Sequence, residues 1–378
     1  MISDLPQDLI EEILSRVSVT SLRRLRSTCK LWYHQVLFKD PRFIKKYSDK
    51  TARQYHALIL TDYTVCSMSS VLDRVKERIS LSSVGHRLTL PHCNELVDLF
   101  RAFHCDGILL CRICRKNMIV VWNPFSGQTR WIQLQNQFLE TFALGYDNKE
   151  LFRSYKILTF FPYRSGRDLK RDVKVEIYEF RSNSWRNLDT TIPHGAYLKT
   201  HDGVSLNGNT YWVSCNKKGD NDYSLLSFDF STETFQRLCA PFHHEPSYID
   251  GTMALSVVRE ERLSFLYQSS KTLEVEIWMT DEIETTSVSW SKFLRVYLNF
   301  LRLSYSVSFY IIDEEKKVVV YCDEVVPVMA NSRYIMTWIV KGGEKYRASA
   351  DITVDRGIQV WPLRCHSFPR LFGYVPKN

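Results

Sequence analysis

A chain of 378 residues, 44% hydrophobic and 24% charged, has the make-up of a soluble globular protein with room for one large domain and a small one, or for two or three ordinary ones. No apolar run reaches the roughly 20 residues that span a bilayer, and no basic n-region followed by an apolar h-region opens the sequence. Ten scattered cysteines read as reduced thiols rather than a disulfide framework, so cytoplasm, nucleus or both is the expected compartment. The net charge of +8 is uneven: residues 1–56 carry a surplus of +5 and the remaining 322 only +3. The surplus lies within Arg16–Arg53 and includes Arg23, Arg24, Arg26, Lys30, Lys39, Lys45 and Lys46. Since no helix-turn-helix, zinc-finger or RNA-binding signature accompanies it, an acidic protein partner is expected in preference to nucleic acid.

The first predicted element starts at Asp4, a capping residue, with Pro6 in the first turn, where it loses no helical hydrogen bond. Leu9, Ile10, Ile13, Leu14 and Val17 form its apolar stripe, and Asp8, Glu11 and Glu12 sit toward the end that favours negative charge. A second short helix carries Leu22 and Leu25, and a third carries Cys29, Trp32, Tyr33 and Val36. Three short helices bury too little surface to stand alone, so they pack either on the rest of the chain or on a partner.

The stretch "LPQDLIEEILSRVSVTSLRRLRSTCKLWYHQV" resembles an F-box. Leu5, Pro6, Asp8, Leu9, Ile13, Leu14, Ser21, Leu22, Arg26, Cys29, Lys30 and Trp32 match that family's pattern, while Val17-Ser18 stands where plant F-boxes usually have Leu-Pro. The resemblance implies that Leu5, Pro6, Leu9, Ile10, Ile13, Leu14 and Val17, with Leu22, Leu25, Cys29 and Trp32, dock on a Skp-type adaptor of a cullin–RING ubiquitin ligase. The basic patch would then steer an acidic adaptor, a rate effect more than an affinity effect.

Past residue 50 the texture changes to short apolar runs between turn residues. "GILLCRIC", "MIVVW", "SYKILTFF", "VEIYEF", "TYWVS", "LLSFDF", "LSFLY", "VEIWM", "SFYIID" and "KVVVYC" read as strands. A weak helix is expected near Val71–Ile79. Four stretches share one layout: "VVWNPFSGQTRWIQL", "EIYEFRSNSWRNL", "LSFDFSTETFQRL" and "EIWMTDEIETTSVSWSKF". A strand ends in an aromatic (Trp122, Tyr178, Phe228, Trp278), polar residues turn, and a second aromatic follows (Trp131, Trp185, Phe235, Trp290). The second aromatics step by 54, 50 and 55 residues, near the kelch period of about 50, so each unit reads as the outer hairpin of a propeller blade. The expected fold class is mainly β: a small three-helix F-box, then a kelch-like β-propeller of about six partly degenerate blades. An irregular β-sandwich is the competing reading.

The segments "WNPFSGQTRWI", "GYDNKELFRSYKIL", "GVSLNGNTYWV", "FDFSTETFQRL", "LSVVREERLSFL" and "VSWSKFLRV" resemble the type-one F-box-associated interaction domain of plants, over nearly all of 55–375. The expected organisation is an F-box at 1–47, a connector with the first strands at 48–95 and the associated domain at 96–375.

Catalytic and metal chemistry find little support. Cys111 and Cys114, near His104-Cys105 and His92-Cys93, lack a second CxxC, and Cys111 falls inside a strand rather than on a knuckle turn. His243-His244-Glu245-Pro246 lacks HExxH spacing, and no GxSxG or GxGxxG occurs. No cofactor, metal or catalytic residue is therefore expected. The basic loop Phe161–Asp172, with Arg164, Arg167, Lys170 and Arg171, is a candidate for binding an acidic or phosphorylated substrate. The resulting expectation is a non-catalytic substrate receptor of an SCF-type ubiquitin ligase, whose partners are a Skp-type adaptor and an unidentified protein, with no nucleic acid or membrane. A plain protein-binding module with a weakened F-box is the alternative.

Overall fold

The computed structural model describes most of residues 101–297, along with 314–320 except 316, Leu9 and Val340, with their side chains, and elsewhere the backbone course of strands between 55 and 363. Those strands form six antiparallel sheets. The first joins β1 (Tyr55–Thr61), β2 (Thr64–Leu72) and β3 (Glu77–Ser83) to the last strand of the chain, β25 (Gln359–Leu363), in the order β25-β1-β2-β3. The second runs β4 (Leu99–Cys105), β5 (Ile108–Ile113), β6 (Met118–Trp122), β7 (Thr129–Gln133). The third runs β8 (Thr141–Asp147), β9 (Ser154–Phe160), β10 (Val175–Glu179), β11 (Ser184–Asn187). In the fourth the first strand is split: β12 (Tyr197–Leu198) and β13 (Val204–Leu206) pair opposite ends of β14 (Asn209–Cys215), followed by β15 (Tyr223–Asp229) and β16 (Thr234–Cys239). The fifth holds β17 (Thr252–Val258), β18 (Arg262–Gln268), β19 (Glu274–Ile283) and β20 (Val288–Tyr297). The sixth holds β21 (Ser308–Asp313), β22 (Val318–Val325), β23 (Arg333–Lys341) and β24 (Glu344–Val354).

The first strands of successive sheets touch in a closed circuit: β25 meets β4, β4 meets β8, β8 meets β13, β13 meets β17, β17 meets β21, and β21 returns to β25. The six sheets are therefore blades around an axis, and the fold is a β-propeller. The weak helix expected near Val71–Ile79 is corrected: the chain turns back there, with Leu72 paired to Glu77 and Ser70 to Ile79 across the β2–β3 hairpin. Its apolar residues fit either period, and pairing with a neighbouring strand decides in favour of the sheet.

Burial follows position within a blade. The middle strands are covered on both faces by neighbouring blades, so β5, β6, β14 and β15 are buried almost throughout. The outer strands β11 and β20 alternate or lie open. Near the axis the blades converge, and small residues occupy the first strands: Ala102, Ala143 and Ala254 are buried there. At Gly145 an added Cβ would collide with the Phe230 ring and the Gly208 carbonyl, so only glycine fits.

The turns set which end of the propeller is which. Asp106-Gly107 and Asn207-Gly208, all with positive φ, join the first strand of a blade to the second as type I′ hairpins. The third-to-fourth turns, such as Phe180–Asn183 and Phe230–Glu233, lie at the same end. In the first blade Leu363, closing β25, pairs with His56, opening β1. β1 therefore starts at this same turn-bearing end.

Candidate functional site

At the turn-bearing end, blades four and five part to leave a cleft of about 320 Å³. One wall comes from the Asn207 turn, β15 and β16; the other comes from the start of β18 and the tip of the β19–β20 hairpin. Leu206, Tyr211 and Leu238 are buried and give the cleft an apolar floor beside the half-buried Ile283. Asp229, Glu261, Asp281, Glu282 and Glu284 line its sides and mouth. Among the described residues the lining contains one cation, Arg262, whose guanidinium pairs with Glu314 of blade six. Arg259 holds the same carboxylate at 2.9 Å. Burial pushes the Tyr211 phenol up from its usual pKa, so it stays a neutral hydrogen-bonding group at neutral pH.

The hairpins that build these walls are fixed by local chemistry. Asp229 Oδ1 accepts the backbone N–H of Ser231 at 2.7 Å, shaping the β15–β16 turn, and Ser291 Oγ donates to Asp281 Oδ1 at 2.8 Å across β19–β20. A repeated contact then locks blade to blade at the rim. Trp185 Nε1 on β11 donates to the Gln133 carbonyl that ends β7, at 2.9 Å, and Trp290 Nε1 on β20 donates to the Cys239 carbonyl that ends β16, at 3.0 Å. The second aromatic of the sequence repeat is thus a latch onto the preceding blade. Phe235 has no N–H to give, and packs instead against Phe228 and Phe160, with centroids 4.8 and 5.2 Å apart. Pairing of the two repeat aromatics is not uniform: Tyr178 faces Trp185 and Phe228 faces Phe235, whereas Trp131 faces Val120 and Trp290 faces Thr280. The longer β6–β7 connection and the long, bulged strands of the β19–β20 hairpin account for the difference.

A second cluster surrounds the Asp106 turn. Arg153 pairs with Asp106 at 2.5 Å and lies over the Tyr146 ring, while Tyr155 donates to the same carboxylate at 3.2 Å. Burial raises the Asp106 pKa, and the nearby Arg153 charge opposes the rise. His104 is partly buried; burial lowers its pKa to about 4, and its Nε2 accepts the Gly107 N–H at 2.9 Å. These groups satisfy one another and hold two blades together. Cys111 is buried in β5, and desolvation pushes its thiol far above the usual range, which makes it a packing residue rather than a thiolate ligand. Among the described residues no three His, Cys, Asp or Glu side chains gather as a metal-binding group.

Of the adaptor-binding set only Leu9 is described, helical and 49% exposed. Leu5, Pro6, Ile10, Ile13, Leu14, Val17, Leu22, Leu25, Cys29 and Trp32 lie outside the described residues, as do Arg164, Arg167, Lys170 and Arg171 in the β9–β10 connection and His243-His244. The cleft escaped the sequence reading because its acids come from three hairpins that no short motif links. The Asn207-Gly208 pair and the hairpin repeat were the available signals.

A closed ring of six four-stranded antiparallel blades with tight turns at one end defines a β-propeller protein. Comparison with known proteins gives the family. Residues 56–377 match the F-box associated beta propeller domain and residues 2–43 match the F-box domain. A putative F-box protein of Arabidopsis thaliana is 45% identical, aligned over all of this chain and 97% of its own length. A putative F-box/kelch-repeat protein of the same plant is 42% identical over all of this chain and 96% of its own. The chain belongs to the F-box proteins that carry an F-box associated β-propeller domain.

Proposed function

We propose that this chain is the substrate receptor of an SCF-type ubiquitin ligase, acting in the cytoplasm, the nucleus or both. The observation that carries the reading is the pairing, on one chain, of an F-box domain match with a propeller-domain match. The F-box segment binds a Skp-type adaptor through Leu5, Pro6, Leu9, Ile13, Leu14 and neighbouring apolar residues. The propeller holds the protein to be ubiquitinated. Catalysis rests on proximity: the scaffold raises the effective concentration of substrate lysines near a charged conjugating enzyme, and this chain supplies no reacting group.

Co-purification with a plant Skp-type adaptor tests this, alongside Leu5→Ala/Pro6→Ala and Leu9→Ala/Ile13→Ala variants. Truncating buried interface anchors typically costs ~2–4 kcal/mol each, so wild type is captured and the variants are not. A folded wild-type chain that fails to capture the adaptor refutes the ligase reading. Val17-Ser18, where the family usually has Leu-Pro, favours that second outcome and with it a binding module outside any ligase.

A further inference from the structure

We propose that the cleft between blades four and five binds a basic, partly apolar peptide segment of the captured protein, so that the substrate class is one bearing exposed arginine or lysine beside an aliphatic residue. The inference rests on the substrate-receptor reading and adds the chemistry of the ligand. Its volume of about 320 Å³ admits one or two long side chains rather than a folded domain. The apolar floor of Leu206, Leu238 and Ile283 suits the methylene stem of Arg or Lys or a neighbouring Leu, whereas the carboxylates above it suit the cationic head. Among the described residues, Asp229, Asp281 and Glu284 accept from neutral donors (the Ser231 backbone N–H, Ser291 Oγ and Ser287 Oγ), and the lining cation Arg262 is engaged by Glu314 outside the cleft, so it does not offset these carboxylates. Glu282 and Glu284 are solvent-exposed on the blade-five wall, and Asp229 stands on the blade-four wall opposite. Such an arrangement attracts a cationic segment from a distance and then gives its stem somewhere to go.

The test uses the full-length chain and a short fluorescent peptide of arginine and leucine, with its glutamate-for-arginine counterpart, read by anisotropy. The arginine peptide is expected to bind saturably, more weakly as salt rises, and the glutamate peptide not at all. Glu261→Gln/Glu282→Gln/Glu284→Gln should weaken binding by at least about fivefold, and Glu282→Lys alone in the same direction. The control, Glu179→Gln/Glu315→Gln, removes acids outside the cleft and should leave binding unchanged. No binding by wild type, or equal losses in cleft and control variants with unchanged thermal melting, overturns the proposal. Adaptor capture plays no part in this measurement, so a failed F-box and a failed cleft give different results.

Discussion

At the scale of single residues, the partly buried imidazole of His104 makes the clearest prediction. Its pKa falls from 6.5 to about 4 because burial disfavours the cation, and its Nε2 is already occupied as acceptor for the Gly107 N–H. Between these two values the unfolded chain binds a proton at this site and the folded chain does not, so stability rises with pH across that window. It is fully present above about pH 6.5 and is lost as the pH falls toward 4. A shift of this size corresponds to about 3 kcal/mol at most. Urea unfolding at pH 7 and pH 5 should show the loss, and His104→Gln, which can still accept a hydrogen bond, should flatten the slope. An unchanged slope in the variant would show that other groups carry the pH dependence. Cys111, which is fully buried, adds no such term near neutral pH because its thiol stays protonated in both states.

At the scale of strands and hairpins, the repeat seen in the sequence has a physical cause. A tryptophan on the outer strand must reach back to the blade before it, and one blade of chain separates Trp185 from Gln133 and Trp290 from Cys239. Trp185→Phe deletes the donor and keeps a smaller aromatic ring beside Tyr178. The expected cost is about 0.5–1.5 kcal/mol of unfolding free energy, since the freed carbonyl lies where water can reach it. Trp290→Phe should cost about the same, and the two should add because the sites lie in different blade junctions. Chemical denaturation of the single and double variants measures both points; no loss in either would reduce the latch to ring packing. Legibility in the sequence follows the same logic. The middle strands of blades two to five were readable because covering both faces forces continuous apolar runs, as in "ILLCRI", "MIVVW" and "YSLLSFD". First strands such as "LFRAFHC" and "TFALGYD" were not, because the crowded axis asks for small residues and tolerates Arg101 and His104. Outer strands such as "SWRN" were legible only through their tryptophan. The cleft was illegible for a different reason: its charge is assembled across two blades by the ring, and local spacing says nothing about which hairpins become neighbours.

At the scale of the whole molecule, closure depends on five residues near the end of the chain. β25 supplies the innermost strand of the first blade, pairs along β1 from His56 to Leu60, and touches the first strands of blades two, five and six. A propeller closed this way ties its first strand in the sequence to its last. Removing residues 359–378 leaves β1 as an exposed inner edge and opens the circuit between β21 and β4. The loss is expected to exceed that of a surface strand, because ring strands are supported from both sides and an unpaired edge invites association between chains. The truncated chain should melt several degrees lower, with earlier proteolysis within the first and sixth blades and oligomers on size exclusion. Adaptor capture should persist, since residues 2–43 precede the propeller, while binding of the arginine peptide should fall as blades four and five lose their fixed spacing. Unchanged melting with a monomeric elution profile would mean that the ring is held by its blade-to-blade packing and that β25 only covers an edge already stable without it.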